Sequence, residues 1–156
     1  MNDRLVLWLS TNAAITWVIR NISSHLDPIL FKASNGRFFS MGSPSMPMVT
    51  LTTIGRHSGK KRDVHLACIP HEGDFLVVAS AMGQEHHPGW RYNLEAHPEV
   101  DCQMPGERYR ARASVLNDSE KATVWNQIRK IIPQIEVYEQ RTDRNIRVFR
   151  LTRIGT

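Results

Sequence analysis

The sequence has few cysteines and no long apolar run. Its two cysteines, Cys68 and Cys102, have the spacing of neither a metal site nor a redox CxxC pair, and one pair is too few for a disulfide scaffold. A reduced, cytoplasmic setting is therefore expected. The apolar stretch from Leu5 to Ile19 is interrupted by polar residues and is shorter than the roughly 18 to 20 residues of a membrane span. It predicts a helix that packs on the protein body or lies on a membrane surface.

The signatures of several enzyme classes are also missing. The chain has no GxSxG elbow, no GxxxxGK[ST] phosphate loop and no cysteine with an evident histidine partner. His86 and His87 are adjacent, but neighbouring residues seldom share one ion and no Cys or carboxylate stands at a zinc-ligand spacing. No metal site is therefore predicted.

Acidic residues are fewer than basic ones, 15 against 20, which gives a net charge of +5. This balance suggests an anionic partner, which could be nucleic acid, a membrane surface or a phosphorylated small molecule. Nucleic acid is disfavoured because the basic residues concentrate in one short loop without interleaved aromatic residues.

Helical periodicity dominates the N-terminal part. Apolar residues at three- and four-residue spacing predict a helix from Asn2 or Asp3 to Ile22, and a second helix is predicted over 28–33. Irregular chain follows over 40–47, where glycine and proline recur. Residues 1–47 are thus expected to form a helical segment that packs on the remaining domain or on a membrane surface.

From residue 48 onward, short β-branched runs alternate with turn residues. Strands are predicted over 48–53, 63–69, 74–80, 100–104, 108–116 and 146–154. Helices are predicted over 88–96, from a cap at Asp118 or Ser119 through Ile131, and over a short piece that carries Ile135 and Tyr138. The connections are too short for repeated parallel crossovers. We therefore expect one α+β domain over 48–156, with a six-stranded, mostly antiparallel β-barrel, closed or partly open.

Two segments could form a binding site. The loop after the first strand, GRHSGKKR over 55–62, groups five basic side chains around Ser58 and Gly59. Glycine permits positive φ, so backbone N–H groups and cations can converge there on a phosphate. A solvated, charged hairpin tip is the alternative.

The second segment, 79–90, begins with small residues that let a flat ring approach the backbone. Ser80 can donate a hydrogen bond to such a ring, and Trp90 can form one wall of the site.

Five stretches occur together in a specific order and spacing: LTTIGRHSGKKR (51–62), VVAS (77–80), HPGWRYNL (87–94), AHPEV (96–100) and RTDR (141–144). Together they resemble the deazaflavin-dependent nitroreductase family of actinobacteria, from about residue 48 to the C-terminus. The resemblance implies a split β-barrel that binds coenzyme F420. It also implies hydride transfer from reduced F420 to a quinone, a nitroaromatic compound or another activated hydrophobic acceptor.

The resemblance also implies site residues. Contacts to the cofactor's phosphate and oligoglutamate tail fall on Arg56, His57, Ser58, Gly59 and Arg62. Contacts to its ring fall on Ala79, Ser80, Ala81 and Met82, with Val64 and His65 opposite and with Pro88, Gly89, Trp90 and Asn93 bordering the groove. Ser80 would hold the ring during catalysis, and Tyr138 or a bound water would supply a proton.

The sequence departs from the family pattern at several of these positions. His57 stands where Lys is frequent, His65 where Pro is common, and Ala81-Met82 where Lys-Gly is usual, so tail binding is expected to be weaker or more pH-dependent. Ile132 and Ile135 occupy positions that are often Tyr in nitroreducing members. A more apolar acceptor than a nitroimidazole is therefore expected. A non-catalytic F420 or lipid carrier stays open as the alternative, as do the oligomeric state and peripheral membrane contact through the N-terminal helix.

Overall fold

A computed structural model describes residues 12–18, 21–22, 24–35 and 46–155. The predicted N-terminal helix lies partly outside these residues, and its described part is α1, Ala13–Val18. The Asn12 side chain caps α1 by accepting a hydrogen bond from the Ala14 N–H at 3.1 Å. Helix α2 spans Ser24–Ala33, so it begins four residues before the predicted start at Pro28. Pro28 costs this helix only one backbone hydrogen bond, near its N-terminal end.

Six strands form a closed antiparallel barrel in the order β1-β2-β3-β6-β5-β4. They are β1 Met48–Ile54, β2 Lys61–His71, β3 Asp74–Val78, β4 Glu99–Met104, β5 Glu107–Val115 and β6 Val148–Ile154. The predicted six-stranded α+β barrel is thus confirmed. The β2–β3 hairpin turns at Glu72 and Gly73, both at positive φ, and pairs His71 with Asp74.

The third strand ends earlier than predicted. Strand β3 stops at Val78 rather than Ser80, and a 3-10 turn follows over Ala81–Gly83. Ala81 and Met82 both have positive φ, at 45° and 55°, and an extended strand cannot continue through such residues.

Three further helices connect the strands: α3 Gly89–Ala96, α4 Asp118–Ile131 and α5 Ile135–Arg141. The cap of α4 is Asn117 rather than the predicted Asp118 or Ser119. Its side chain accepts from the Glu120 N–H at 2.9 Å, and the Glu120 carboxylate accepts from the Asn117 N–H at 2.8 Å. This reciprocal capping box needs Glu three residues after the cap, which only Asn117 provides.

Two apolar clusters stabilise the fold. One fills the barrel interior and includes Leu51, Val77 and Phe149, and the other lies between the outer face of the barrel and helices α4 and α5. Cys68 and Cys102 are buried in the first cluster and form no disulfide. Burial raises the pKa of each thiol to about 12, so neither supplies a thiolate nucleophile near neutral pH.

Candidate functional site

The basic loop between β1 and β2 is held in one conformation by its own hydrogen bonds. The Gly55 N–H donates to the Lys60 carbonyl at 2.8 Å, and the Gly59 N–H donates to the Gly55 carbonyl at the same distance. A Cβ on Gly55 would lie 2.5 Å from the Ser58 hydroxyl oxygen, so a larger residue would displace that serine. Gly59 has a φ of +66°, which glycine adopts without strain.

Asn93 of α3 ties this loop to the barrel. Its side-chain carbonyl accepts from the Arg56 N–H at 3.1 Å, and its amide donates to the Thr53 hydroxyl at 3.1 Å. The Thr53 hydroxyl in turn donates to the Arg62 carbonyl at 3.1 Å. One asparagine therefore fixes both ends of the loop relative to α3.

A groove of about 550 Å³ lies between the basic loop and α3. It is lined by Thr53, Gly55, Arg56, His57, Ser58, Arg62, Asp63, Val64, Gly89, Trp90, Tyr92 and Asn93. The Arg56 guanidinium lies 4.3 Å from the centre of the Tyr92 ring, a cation–π contact that directs this side chain over α3. Trp90 packs against Phe149 of the barrel core, with 5.8 Å between the ring centroids. One wall of the groove is thus cationic and the other is aromatic.

The charged side chains of the basic loop are open to solvent. Arg56, His57, Lys60, Lys61 and Arg62 are exposed. No ion pair with another described residue neutralises them. Exposed guanidinium and ammonium groups of this kind can bind phosphate or carboxylate oxygens. The loop thus has the properties of an anion site. The sequence composition alone was equally consistent with a solvated, charged hairpin tip.

Two arginines donate hydrogen bonds to carbonyls of the segment after β3: Arg141 donates to the Met82 carbonyl at 3.4 Å, and Arg144 makes three further bonds. The Arg144 guanidinium donates to the carbonyls of Ala79 at 2.9 Å and Gln84 at 2.8 Å, and also to the carbonyl of Ser80. Gly83 packs tightly against α5, because a Cβ at this position would lie 2.9 Å from the Tyr138 carbonyl oxygen. The turn is therefore clamped between Arg144 and α5.

His87 connects this turn to the groove. Its Nδ1 lies 3.2 Å from the Arg144 guanidinium, and its ring meets the Tyr92 ring edge-on at 6.1 Å. Burial lowers the pKa of His87, and the nearby Arg91 and Arg144 cations lower it further. The Nδ1 of a neutral His87 can accept a hydrogen bond from the Arg144 guanidinium N–H, which links the clamp to the groove wall.

The structure brings eight of the predicted site residues to the groove: Arg56, His57, Ser58, Arg62, Val64, Gly89, Trp90 and Asn93. Gly59 shapes the loop, and Pro88 directly precedes α3 as its N-cap. Ala79, Ser80, Ala81 and Met82 do not line the groove and belong to the clamped turn. His65 lies on the opposite face of β2 from Val64, where its ring packs 4.5 Å from the Phe31 ring of α2.

The three predicted acceptor-side residues lie on and near α5. Ile135 is fully buried and Tyr138 is 7% exposed, and both belong to the outer apolar cluster that half-buried Ile132 and Met82 pack against. Ile135 thus packs in the protein core. Tyr138 lies against the turn at Gly83 rather than in the groove lining.

Several residues of the site were not singled out from the sequence, and Asp63 of the groove lining is one of them. Thr53 and Tyr92 line the groove, and Arg144 holds the turn. Each of these three lies within a quoted stretch: 51–62, 87–94 or 141–144. Their roles depend on contacts between distant parts of the chain, which the local pattern did not reveal.

Within the described residues, no helix is both long enough and apolar enough to span a bilayer. The same residues contain no group of three His, Cys, Asp or Glu side chains arranged to hold a metal ion.

A six-stranded antiparallel barrel with a cationic groove beside its first hairpin defines a protein of the split-barrel class. Residues 30–153 match the F420H(2)-dependent quinone reductase family, and the chain belongs to that family. It is 27% identical over 143 residues to an F420H(2)-dependent quinone reductase of Mycobacterium tuberculosis, an alignment that covers 88% of this chain and 96% of the relative.

Two solved structures have similar folds. One is a structure of an F420-H2 dependent reductase. It shares 33% sequence identity with this chain and has a TM-score of 0.62, and the alignment covers 72% of this chain and 99% of the reductase chain. The other is described as a domain-swapped dimer. It shares 30% sequence identity and has a TM-score of 0.64, and the alignment covers 89% of this chain and 99% of the other chain. The expected family and split-barrel fold are therefore confirmed.

Proposed function

We propose that this protein is an F420H2-dependent oxidoreductase that transfers a hydride to a quinone, a nitroaromatic compound or another activated hydrophobic acceptor. The observation that carries the proposal is the groove between the basic loop and α3, in which cations that form no ion pair with another described residue lie beside an aromatic wall. Membership of a family named for F420H(2)-dependent quinone reduction supports the same cofactor.

The donor set of the groove fits a phosphorylated deazaflavin. Arg56 and Arg62 provide planar guanidinium groups for phosphate oxygens, and exposed His57 and Ser58 add further donors. The half-buried Val64 and Trp90 offer apolar surface to a flat ring, and Gly89 has no side chain to obstruct it. When bound, the cofactor supplies the hydride, while these side chains bind and orient it.

The turn after β3 would complete the ring site. Arg144 holds the carbonyls of Ala79, Ser80 and Gln84, which fixes the direction of the Ser80 and Ala81 peptides. We infer that Ser80 and Ala81 contact the ring edge and that the positive-φ Met82 stays on the α5 side. Tyr138, or a water beside it, remains our candidate for the proton source. His65 packs beneath α2, so it has a structural role in this proposal.

Fluorescence titration tests the cofactor proposal. Coenzyme F420 should bind in preference to FMN, and binding should quench its fluorescence. Arg56→Ala and Arg62→Ala should each weaken binding roughly 10- to 100-fold, because a hydrogen bond to a charged group contributes about 1.5–3 kcal/mol. Lys130→Ala is the matched control, since it removes one exposed cation from α4 and none from the groove. Equal affinity for FMN, or equal losses in all three variants, would contradict the proposal.

An acceptor panel then tests catalysis. With reduced F420 present, menaquinone should be reduced faster than a nitroimidazole, because the half-buried Ile132 stands where nitroreducing members often have Tyr. Cofactor binding without turnover of any quinone would instead identify a non-catalytic F420 carrier.

We also propose that the N-terminal helices contact a membrane surface, which would place the enzyme beside lipid-soluble quinones. Six large apolar side chains in α1, α2 and the chain between them are 44–63% exposed: Trp17, Val18, Ile22, Leu26, Ile29 and Leu30. We call these residues the apolar helix face. Several exposed apolar side chains in one short stretch of chain often mark a membrane or protein contact.

A further inference from the structure

A second cavity, of about 390 Å³, opens on the outer face of the barrel beside the end of α2. Thr50 of β1, Gln103 of β4 and Arg108 of β5 line it, together with Lys32 of α2. Lys61 and Thr52 also line this cavity, whereas the neighbouring Arg62 and Thr53 line the cofactor groove. The two cavities therefore lie on either side of the β1–β2 hairpin.

Gln103 places a buried side-chain amide at this cavity. It is only 4% exposed, and its buried Nε2 has no hydrogen-bond partner among the residues that the structure describes. Buried polar atoms in folded proteins are nearly always satisfied, so a buried donor that lines a cavity indicates a missing acceptor. The neighbouring Thr50 hydroxyl is 2.9 Å from the His65 Nδ1 and does not supply that acceptor.

Two of the four cations that line the cavity already pair with carboxylates. Lys32 pairs with Asp63 at 2.8 Å, and Arg110 pairs with Glu99 at 2.8 Å and with Asp101 at 3.6 Å.

Lys61 and Arg108 have no such partner among the described residues. The one acidic residue lining the cavity, Asp101, is thus already paired, and two cations and a buried amide remain available to an anion.

The volume of the cavity indicates how large a bound anion would be. At about 30 Å³ per water, the cavity is much larger than a single phosphate or sulfate would fill. The two uncommitted cations stand on different strands, so one compact anion would leave part of the donor set unused. We propose that this cavity binds a flexible molecule with two or more carboxylates, one of which accepts from the Gln103 Nε2 while others face Lys61 and Arg108.

The test uses cofactor-free protein and γ-linked triglutamate as the probe, so its outcome does not depend on the proposed hydride transfer. The side-chain amide NMR signal of Gln103 should shift saturably as triglutamate is added. Lys61→Ala and Arg108→Ala should each weaken binding at least fivefold, while Lys130→Ala should not. Backbone NMR spectra would verify that each variant is folded.

Two results would overturn the proposal. One is the absence of a saturable shift at Gln103 in the folded wild-type protein. The other is an equal shift with inorganic phosphate at the same concentration, which would show that linked carboxylates are not required.

The carboxylates could belong to a free metabolite or to the oligoglutamate tail of F420. Titrations of the Arg108→Ala variant with F420 and with its tail-less form distinguish these sources. A loss of affinity confined to the tailed cofactor would identify the tail. Unchanged affinity for both forms, with triglutamate still bound by the wild-type protein, would identify a free polycarboxylate.

Discussion

His65 lies between the Phe31 ring of α2 and the Thr50 hydroxyl of β1. Burial lowers its pKa from 6.5 to about 4, although the carboxylate of Asp27 acts in the opposite direction. The side chain is therefore neutral near pH 7, and its protonation would place a charge beneath α2.

This pKa shift predicts a pH dependence of stability. Because the pKa is depressed in the folded state, the unfolded chain binds more protons between pH 6.5 and about 4. The stabilisation from neutral His65 is complete above pH 6.5 and is lost as the pH falls toward 4. Urea midpoints should therefore decrease over this range, and His65→Gln should flatten the decrease. The exposed His97→Gln variant is the control, and an unchanged pH profile in His65→Gln would refute this explanation.

The basic loop could be proposed as an anion site from the sequence alone, because its charged residues are contiguous. The side of the barrel that each strand residue faces was harder to predict. Val64 and His65 were assigned to one site, yet strand alternation sends them to opposite faces of β2. The choice of face depends on α2, whose Phe31 covers the outer one.

At the level of elements, the turn after β3 depends on a side chain more than sixty residues away. Arg144 satisfies three carbonyls at once, which requires the planar fork of a guanidinium. Lysine would retain the charge but could not reproduce these directions.

Arg144→Lys should therefore loosen the turn without unfolding the barrel. We expect faster amide hydrogen exchange over residues 80–87 and roughly tenfold weaker F420 binding, as for the loss of about 1.4 kcal/mol. Arg112→Lys is the control, because Arg112 is exposed and pairs with Glu99 on the barrel surface. If exchange over 80–87 were the same in both variants, Arg144 would not be the element that orders this turn.

Strand periodicity and turn residues made the barrel predictable, since each β-strand and the β2–β3 turn are encoded locally. The positive φ of Ala81 and Met82 was not predictable, because those residue types rarely adopt it and contacts with Arg144 and α5 hold the turn there. The same limit applied to the groove, which forms only when Asn93 of α3 meets the β1–β2 loop.

At the scale of the whole molecule, the exposed apolar side chains concentrate in the N-terminal helices, while the cationic groove belongs to the barrel. Replacing Trp17, Ile22 and Ile29 of the apolar helix face with Ser should markedly reduce co-sedimentation with anionic lipid vesicles. Val115→Ser is the control, because Val115 is also an exposed apolar residue, at 45%, but lies on β5. Equal co-sedimentation of the two proteins would exclude the helices as the membrane contact.

The barrel closes through a short seam. Strands β1 and β4 pair only over Thr50–Thr52 and Asp101–Gln103, whereas β1 pairs with β2 along its whole length. Few backbone hydrogen bonds oppose separation at this seam, so local opening there should precede global unfolding. Because Thr50 and Gln103 face each other across it, any ligand that bridges them would act as a latch, and it would slow the opening of the barrel.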